Sequence, residues 1–165
     1  MKSTRPYIFA VSGYKHVGKT TLITKLIKKL RSLGYTVATI KHDGHDFIAD
    51  SEGTDSYKHR EAGADLNIVF SAHKMMMIAK PLDIQAMIAL AQDHDFIILE
   101  GFKTSPYPKI EIIKEDGEAS VVDPTTRLAL VSDIAMTNEQ YISWNDIDKL
   151  IEIILESRER QDGIN

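Results

Sequence analysis

The 165-residue sequence contains no cysteine, which excludes disulfides, zinc–thiolate sites, iron–sulfur clusters and cysteine nucleophiles. No apolar run approaches the roughly 20 residues of a membrane-spanning helix, and the apolar segment at residues 7–11 is too short for a signal peptide. Positive charge is not in excess, because 20 Lys and Arg residues stand against 24 Asp and Glu residues. A broadly basic nucleic-acid-binding protein is therefore excluded, although a local basic patch is not. We expect a cytoplasmic protein with no membrane or nucleic-acid partner.

The remaining composition, 43% hydrophobic and 27% charged, is that of an ordinary folded domain. The chain length lies within the usual range of roughly 100–200 residues per domain. We therefore predict a single domain over residues 1–165, whose polar end at residues 158–165 frays.

Short apolar runs alternate with segments of helical periodicity. The runs at residues 7–11 and 96–99 are almost wholly apolar, as in strands that are covered on both faces. The alternation predicts a parallel, doubly wound α/β sheet, to which residues 66–79 and 107–125 add antiparallel edge strands or an excursion from the sheet. The predicted strands are residues 7–11, 35–40, 66–70, 75–79, 96–99, 110–113 and 128–131, and the predicted helices are residues 21–33, 56–62 (capped by Thr54), 82–92 and 147–155 (capped by Asn145).

Residues 13–20, GYKHVGKT, match the phosphate-binding pattern G-x-x-x-x-G-K-S/T at every fixed position. A predicted strand precedes this phosphate loop and an amphipathic helix follows it, which argues against a chance glycine-rich turn. The two fixed glycines allow backbone geometries in which successive N–H groups point at phosphate oxygens. Lys19 is placed to reach the β- and γ-phosphates, Thr20 to hold Mg²⁺ and Thr21 to contact the α-phosphate. The predicted nucleotide-binding residues of this segment are Gly13, Lys15, His16, Val17, Gly18, Lys19, Thr20 and Thr21, of which Lys15 and His16 could instead be solvated.

A second apolar strand ends in an acid, Glu100, which Gly101 follows. Because ligands bind at the carboxyl edge of parallel sheets, Glu100 is predicted to meet the same nucleotide. Its carboxylate could hold Mg²⁺ directly or through water, or orient the attacking water, and Gly101 would let the backbone approach the γ-phosphate. Asp is the commoner acid at this place, so both modes of metal contact stay open. The alternative is a surface acid that closes a strand.

The loop at residues 41–46, KHDGHD, leaves another predicted strand at the same edge of the sheet. Asp43 is a candidate second acid in a loop that responds to phosphate and Mg²⁺. His42 and His45 are three residues apart, as zinc ligands can be, so a transition-metal site is the alternative. The predicted catalytic residues are Lys19, Glu100 and Asp43, and the predicted metal ligands are Thr20 and Glu100.

Further motifs follow the phosphate loop in a specific order. They are K-H-x-x-H at residues 41–45, D-S-Y at 55–57, A-G-A at 62–64 and E-G-F-K at 100–103. The phosphate loop alone would indicate only a P-loop NTPase, but this combination resembles the MobB family, the small GTP-binding proteins of molybdopterin guanine dinucleotide biosynthesis. The resemblance covers about residues 7–133.

The resemblance implies a P-loop NTPase fold of the SIMIBI type, with three α/β/α layers, a mostly parallel twisted sheet and a few antiparallel edge strands. It also implies binding of GTP and Mg²⁺, slow GTP hydrolysis and a homodimer that acts mainly as an accessory protein. The phosphate contacts would fall on Gly13 to Thr21 and the magnesium acid on Glu100. Lys103 would meet a phosphate, a pterin or only solvent, and a groove near Lys41, His42 and Lys103 is a hypothetical pterin site. The implied partners are molybdopterin and its guanine dinucleotide, a MobA-like guanylyltransferase and molybdoenzyme apoproteins.

Guanine specificity has a weaker basis, because the base-reading motif N-K-x-D is absent. Asp133 follows a predicted strand, and its carboxylate could accept hydrogen bonds from guanine N1–H and N2–H₂. It could equally be a turn residue, so the residues alone leave GTP and ATP both open.

Three other functions stay open. A small-molecule or nucleoside kinase would share the phosphate loop, but such enzymes usually carry an Arg-rich lid, and no Arg cluster is present here. A metallochaperone GTPase would use His42 and His45. A protein-interaction module would hold GTP only as a structural ligand. Arg60 and Arg127 are the nearest candidates for an arginine finger, and neither is an obvious one.

Overall fold

The computed structural model describes residues 5–44, 47–114, 119–134 and 140–163. The contacts within the chain divide it into two compact units, a sheet unit (residues 1–42 and 88–165) and a hairpin unit (residues 43–87). A single domain over residues 1–165 stays a prediction. None of the helices in the described ranges combines the length and the hydropathy that crossing a membrane requires.

The elements follow the order that the sequence predicts. The strands are β1 Tyr7–Gly13, β2 Val37–Lys41, β3 Leu66–Phe70, β4 Met75–Ala79, β5 Phe96–Glu100, β6 Lys109–Ile112, β7 Arg127–Ser132 and β8 Ile142–Ser143. The helices are α1 Lys19–Ser32, α2 Asp55–Glu61, α3 Ile84–Leu90 and α4 Ile147–Asp162, with a 3₁₀ turn at Pro124–Thr126.

The sheet unit contains six strands in the order β2-β5-β1-β6-β7-β8, and every neighbouring pair is parallel. This arrangement confirms the mostly parallel α/β architecture of a P-loop NTPase. The carboxyl ends of β1 and β5 are adjacent, since Val11 pairs with Glu100. The sheet therefore brings the start of the phosphate loop and the predicted acid to one edge.

Of the two arrangements expected for the antiparallel strands, the structure has the excursion from the sheet. Residues 66–79 form the separate β3–β4 pair of the hairpin unit, and among the described strands of the six-stranded sheet none is antiparallel. β6, in the region where an antiparallel edge was expected, lies inside the sheet between β1 and β7. The reason is burial, because all four residues of β6 are removed from solvent and therefore need covered surroundings on both faces.

α1 packs against α4 and against β1 and β5 through its predicted apolar stripe. Leu22, Ile23, Leu26 and Leu30 are buried, whereas Leu33 lies just beyond the helix and is half exposed. Gly34 follows with φ of +87°, the left-handed conformation that ends helices. The stripe thus anchors the helix whose N-terminus forms the phosphate loop.

The predicted fraying of residues 158–165 is wrong for the described part of that segment, because α4 continues to Asp162. Arg158 is buried, with its guanidinium carbon 4.8 Å from the centroid of the Phe96 ring and a nitrogen 3.8 Å from Asp95. These contacts hold the last turns of the helix on the sheet. At the other end the N-cap is Asp146 and not Asn145, since the Asp146 side chain accepts a hydrogen bond from the N–H of Lys149.

The hairpin unit contains α2 and the antiparallel β3–β4 pair, with a turn at residues 71–74. Thr54 is the N-cap of α2, as predicted, because its side chain accepts a 3.2 Å hydrogen bond from the N–H of Tyr57. One face of the hairpin is apolar and exposed. Its exposed residues are Leu66, Ile68, Phe70, Met75 and Met77.

Candidate functional site

The phosphate loop joins the end of β1 to the start of α1, and its backbone requires glycine at both fixed positions. Gly13 has φ of +149°, and a Cβ there would lie 2.7 Å from the carbonyl oxygen of Ile112 and 2.9 Å from Val17. Gly18, the N-cap of α1, has φ of +96°. Side chains are therefore excluded at Gly13 on grounds of space and are disfavoured at Gly18 by backbone conformation.

The N-terminus of α1 can accept an anion. Gly18 carries no side chain that could cap the first N–H groups, and the first turn has no acidic residue. Unpaired N–H groups and the helix dipole together attract phosphate at such a terminus. Thr20 and Thr21 are exposed there, and their place beside the phosphates stays a prediction.

The Lys19 side chain folds back over the phosphate loop. Its Nζ donates hydrogen bonds to the carbonyl oxygens of Tyr14, at 2.6 Å, and Gly13, at 3.3 Å. Burial lowers the pKa of Lys19, the charge of Glu100 opposes that shift, and two nearby lysines add to it. The ammonium group is thus held at the loop among other charged groups, where it can meet phosphate oxygens.

Thr20 and Glu100, the two predicted metal ligands, are in direct contact. Thr20 Oγ1 donates a 2.8 Å hydrogen bond to Glu100 Oε1, and Lys41 Nζ lies 3.9 Å from the same oxygen. A hydroxyl and a carboxylate beside a phosphate loop are the donors that Mg²⁺ takes from proteins, with phosphate and water oxygens completing its shell. The two side chains therefore fit a magnesium ion.

The backbone after β5 is fixed against β1. The N–H of Gly101 donates a 2.9 Å hydrogen bond to the carbonyl oxygen of Val11, and Ser12 Oγ donates one to the carbonyl oxygen of Gly101. Gly101 has φ of +97°, a conformation that favours glycine. The approach of Gly101 to the γ-phosphate stays a prediction. Ser12, which fixes Gly101 to β1, was not among the predicted site residues.

Cationic and aromatic side chains border the phosphate loop on the side of Gly101. Lys103 Nζ lies 5.1 Å from the centroid of the Tyr14 ring. Phe102 has φ of +48°, and its ring meets the His42 ring edge to face at a centroid distance of 6.0 Å. Three lysines thus lie close together at this edge, with Glu100 beside Lys19. They are Lys19, Lys41 and Lys103.

The other predicted site residues occupy different places. Val17 is buried under the loop, whereas Lys15 and His16 are exposed on it. Asp133 is exposed directly after β7, two strands from β1, which corresponds to about 10 Å across the sheet. Asp43 belongs to the hairpin unit, and its catalytic role stays a prediction.

The proposed histidine site lies only partly in the described chain. His42 is described and exposed, whereas His45 and the following Asp46 lie outside the described residues. Within the described ranges, His, Asp and Glu side chains form no group of three or more that could hold a metal. Trp144, which packs against Gly18, was not among the predicted site residues. The one signal in the sequence was that it is the single tryptophan of the chain.

Comparison with known proteins gives consistent matches. The family model for MobB, molybdopterin guanine dinucleotide synthesis protein B, matches residues 8–133. The molybdopterin-guanine dinucleotide biosynthesis adapter protein of Escherichia coli strain K12 is 30% identical, over 94% of this chain and 95% of that protein. A relative from Methanocaldococcus jannaschii is 32% identical over 90% of this chain, which spans only 61% of that relative's length. The crystal structure of Bacillus subtilis MobB superimposes with a TM-score of 0.76 at 29% identity, over 89% of this chain and 97% of that one.

Proposed function

Since this chain belongs to the MobB family, we propose that it is a cytoplasmic, GTP-binding accessory protein of molybdopterin guanine dinucleotide biosynthesis. The observation that carries the proposal is the 2.8 Å hydrogen bond between Thr20 and Glu100 beside the phosphate loop. It joins the hydroxyl and the carboxylate that a magnesium–nucleotide complex requires. The name of the Escherichia coli relative, an adapter protein of that biosynthesis, supports the accessory role.

In the proposed mechanism the N–H groups of the phosphate loop bind the phosphates, and Lys19 moves from its loop carbonyls to the β- and γ-phosphate oxygens. Thr20 and Glu100 would hold Mg²⁺, which neutralises charge on those oxygens when bound. Gly101, fixed to β1, offers a backbone position close to the γ-phosphate. Binding and orientation are thus the principal contributions of this chain's own residues.

Hydrolysis is proposed to be slow, because the candidate arginines are engaged elsewhere. Arg127 donates a 3.0 Å hydrogen bond to the buried carboxylate of Glu111. Arg60 lies over the Tyr57 ring within the hairpin unit. An arginine that reaches the transferred phosphate accelerates hydrolysis by roughly 10³–10⁵ in related mechanisms. Without one, the protein would be a low-activity GTPase whose bound nucleotide serves its adapter role.

Asp133 is proposed to read guanine. Its exposed carboxylate follows β7 at the same edge of the sheet as the phosphate loop, and a nucleotide lying along that edge would bring its base toward β7. A carboxylate there can accept hydrogen bonds from guanine N1–H and N2–H₂. Adenine offers no donor at these two positions, because its N1 is an acceptor and its C2 carries no amino group.

Molybdopterin or its guanine dinucleotide is proposed to bind beside Lys41 and Lys103. These lysines supply positive charge for a phosphate, and the His42 and Phe102 rings supply flat surfaces for a pterin. Lys103→Glu should weaken the affinity for molybdopterin while leaving the affinity for GTP less affected. Unchanged molybdopterin affinity in this variant would remove the groove from the proposal.

The proposed protein partners are a MobA-like guanylyltransferase, molybdoenzyme apoproteins and a second copy of this chain. The exposed apolar face of the hairpin supports the homodimer, because monomeric proteins rarely leave such a continuous apolar face in water. Phe70 is 79% exposed and its cross-strand partner Met75 is 67% exposed.

The experiment that tests the nucleotide site is calorimetry with GTP and ATP in the presence of Mg²⁺. We expect the wild type to prefer GTP and Lys19→Ala to lose binding, whereas Lys28→Ala, which removes an exposed lysine elsewhere on α1, should bind like the wild type. A preference for ATP would overturn the assignment of Asp133 and favour a kinase. Equal binding by Lys19→Ala would overturn the phosphate site.

A further inference from the structure

Trp144 lies between β8 and α4, and its ring rests on the second glycine of the phosphate loop. A Cβ at Gly18 would lie 2.7 Å from Cη2 of Trp144 and 3.2 Å from Cζ2. The ring edge therefore fills the space into which a side chain at Gly18 would point. Gly18 is the N-cap of α1, so the contact is made where the first N–H groups of the helix turn toward a phosphate.

Contacts from two directions place Trp144. Its backbone N–H donates a 3.4 Å hydrogen bond to the carbonyl oxygen of Ser132, at the end of β7. On the other side, Lys25 Nζ of α1 lies 5.6 Å from the ring centroid and 3.5 Å from Oδ1 of Asn145. The ring also packs, partly buried, against the hydrophobic core. Its position is thus fixed by the sheet and by the helix that starts at the phosphate loop.

Ser132 directly precedes Asp133, the residue proposed to read the base. Ser132 is buried, and its hydroxyl accepts a 3.2 Å hydrogen bond from the N–H of Ile134. The same short stretch of backbone therefore carries Asp133 and binds the backbone of Trp144, whose ring contacts Gly18.

We propose that Trp144 is a positioning residue of the phosphate loop: its ring holds Gly18 in the left-handed conformation that directs the phosphate-loop N–H groups at the phosphates. The inference rests on the nucleotide site of the proposed function, and it concerns the loop and not the identity of the base. Trp144 would act without touching the nucleotide, through Gly18 alone.

The test compares Trp144→Ala and Trp144→Phe with the wild type, using GTP with Mg²⁺ and inorganic tripolyphosphate as two ligands. Tripolyphosphate carries no base, so it reports on the phosphate loop alone. Trp144→Ala should bind both ligands about tenfold more weakly or worse, because small displacements of positioning groups have effects of this size or larger. Trp144→Phe, which keeps a flat ring, should recover most of the affinity for both ligands.

Tyr35→Ala is the matched control. Tyr35 is another partly buried aromatic residue of the sheet unit, and its ring packs against Phe96 and Arg158, at the opposite end of β5 from Glu100. This variant should lose stability in denaturant and keep both affinities. If it weakened tripolyphosphate binding as much as Trp144→Ala, the effect would be general destabilisation and the proposal would be overturned.

Two further results would also overturn the proposal. One is unchanged tripolyphosphate affinity in folded Trp144→Ala, and the other is a loss confined to GTP, which would indicate direct base contact. If Trp144→Ala does not fold, Trp144→Leu replaces it, since leucine keeps apolar volume but not the flat ring edge. A wild type that binds tripolyphosphate but prefers ATP would refute the proposed function and leave the Trp144 comparison intact.

Discussion

The hydroxyl of Thr20 donates a 2.8 Å hydrogen bond to Oε1 of Glu100, although 80 positions separate the two residues in the chain. The parallel pairing of β1 with β5 produces this contact, because both strands end at one edge of the sheet. Lys41, on the other side of β5, lies 3.9 Å from the same carboxylate oxygen. Glu100, at the end of β5, therefore contacts both the phosphate-loop side, through Thr20, and β2, through Lys41.

Glu100→Gln should make nucleotide binding nearly independent of Mg²⁺. The amide keeps the size of the side chain and can still pair with Thr20, but it loses the charge that a hard cation requires. We expect the wild type to bind GTP about tenfold or more tightly with Mg²⁺ than with EDTA, and this ratio to fall toward one in the variant, since changing even the partners of metal ligands costs roughly 10–100-fold in metal affinity. Calorimetry in the two buffers measures it.

The control for this substitution is Glu156→Gln, which removes an exposed carboxylate from α4. It should keep the wild-type response to Mg²⁺. If Glu100→Gln also kept the full response, Glu100 would not be a metal ligand, and its contact with Thr20 would serve only to hold the loop.

The burial of Lys109 should make the free energy of unfolding depend on pH. It is fully buried, and its Nζ donates hydrogen bonds to the carbonyl oxygens of Ser105 and Tyr107 and to the hydroxyl of Thr126. Burial lowers the pKa of Lys109 from its ordinary value of 10.5, and the charge of Asp123 opposes that shift. The folded state thus binds fewer protons than the unfolded state in the window between the lowered pKa and 10.5.

The contribution of Lys109 to the free energy of unfolding therefore rises with pH within that window. At neutral pH, Lys109→Met should lower the free energy of unfolding by about 1–3 kcal/mol, because the buried carbonyls lose their donor. The difference in unfolding free energy between wild type and variant should then widen as the pH is raised toward 10.5. Urea denaturation over a pH series measures the difference, and a gap that stays constant or narrows would contradict the expected titration.

Much of the site could be predicted from the sequence because its signals are local. The phosphate loop is a contiguous motif between a strand and an amphipathic helix, and Glu100 ends an uninterrupted apolar run. Their meeting then follows from the general rule that parallel strands present their carboxyl ends at one edge. No knowledge of other side chains was needed.

The parts that could not be predicted depend on partners far along the chain. β6 reads Lys-Ile-Glu-Ile, an alternation typical of a half-exposed edge strand, yet Lys109 and Glu111 are both buried. Glu111 is satisfied by Ser120, the N–H of Val121 and Arg127, none of which the alternation could reveal. Because Lys109 and Glu111 are charged, the sequence of β6 resembles that of an edge strand, although both residues are buried and hydrogen-bonded inside the sheet.

Arg158 should contribute to stability and not to nucleotide binding. Its side chain is buried beside Asp95, at the amino end of β5, and removing it leaves that buried carboxylate without its cation. Arg158→Met should therefore lower the free energy of unfolding by roughly 3 kcal/mol. Arg160→Met, an exposed neighbour in α4, should change it by no more than about 0.5 kcal/mol. GTP affinity should be the same in both variants, and a loss confined to Arg158→Met would show that the far end of the sheet influences the phosphate loop.

The exposed face of the hairpin predicts the effect of a charge on self-association. Phe70 pairs with Met75 and Ile68 with Met77, so their side chains form one apolar surface on the β3–β4 pair. A carboxylate inside an apolar interface loses its hydration without gaining a partner. Phe70→Glu should therefore shift the protein from dimer to monomer in sedimentation experiments at micromolar concentration, without unfolding it, since Phe70 is 79% exposed.

Phe47→Glu is the matched control, because Phe47 is 73% exposed in the same unit but does not lie on the hairpin. If this variant dissociated as readily as Phe70→Glu, general surface charge and not the hairpin face would govern association. A wild type that is monomeric at every concentration would refute the dimer. The apolar face would then have to meet one of the other proposed protein partners, and Phe70→Glu should weaken that complex instead.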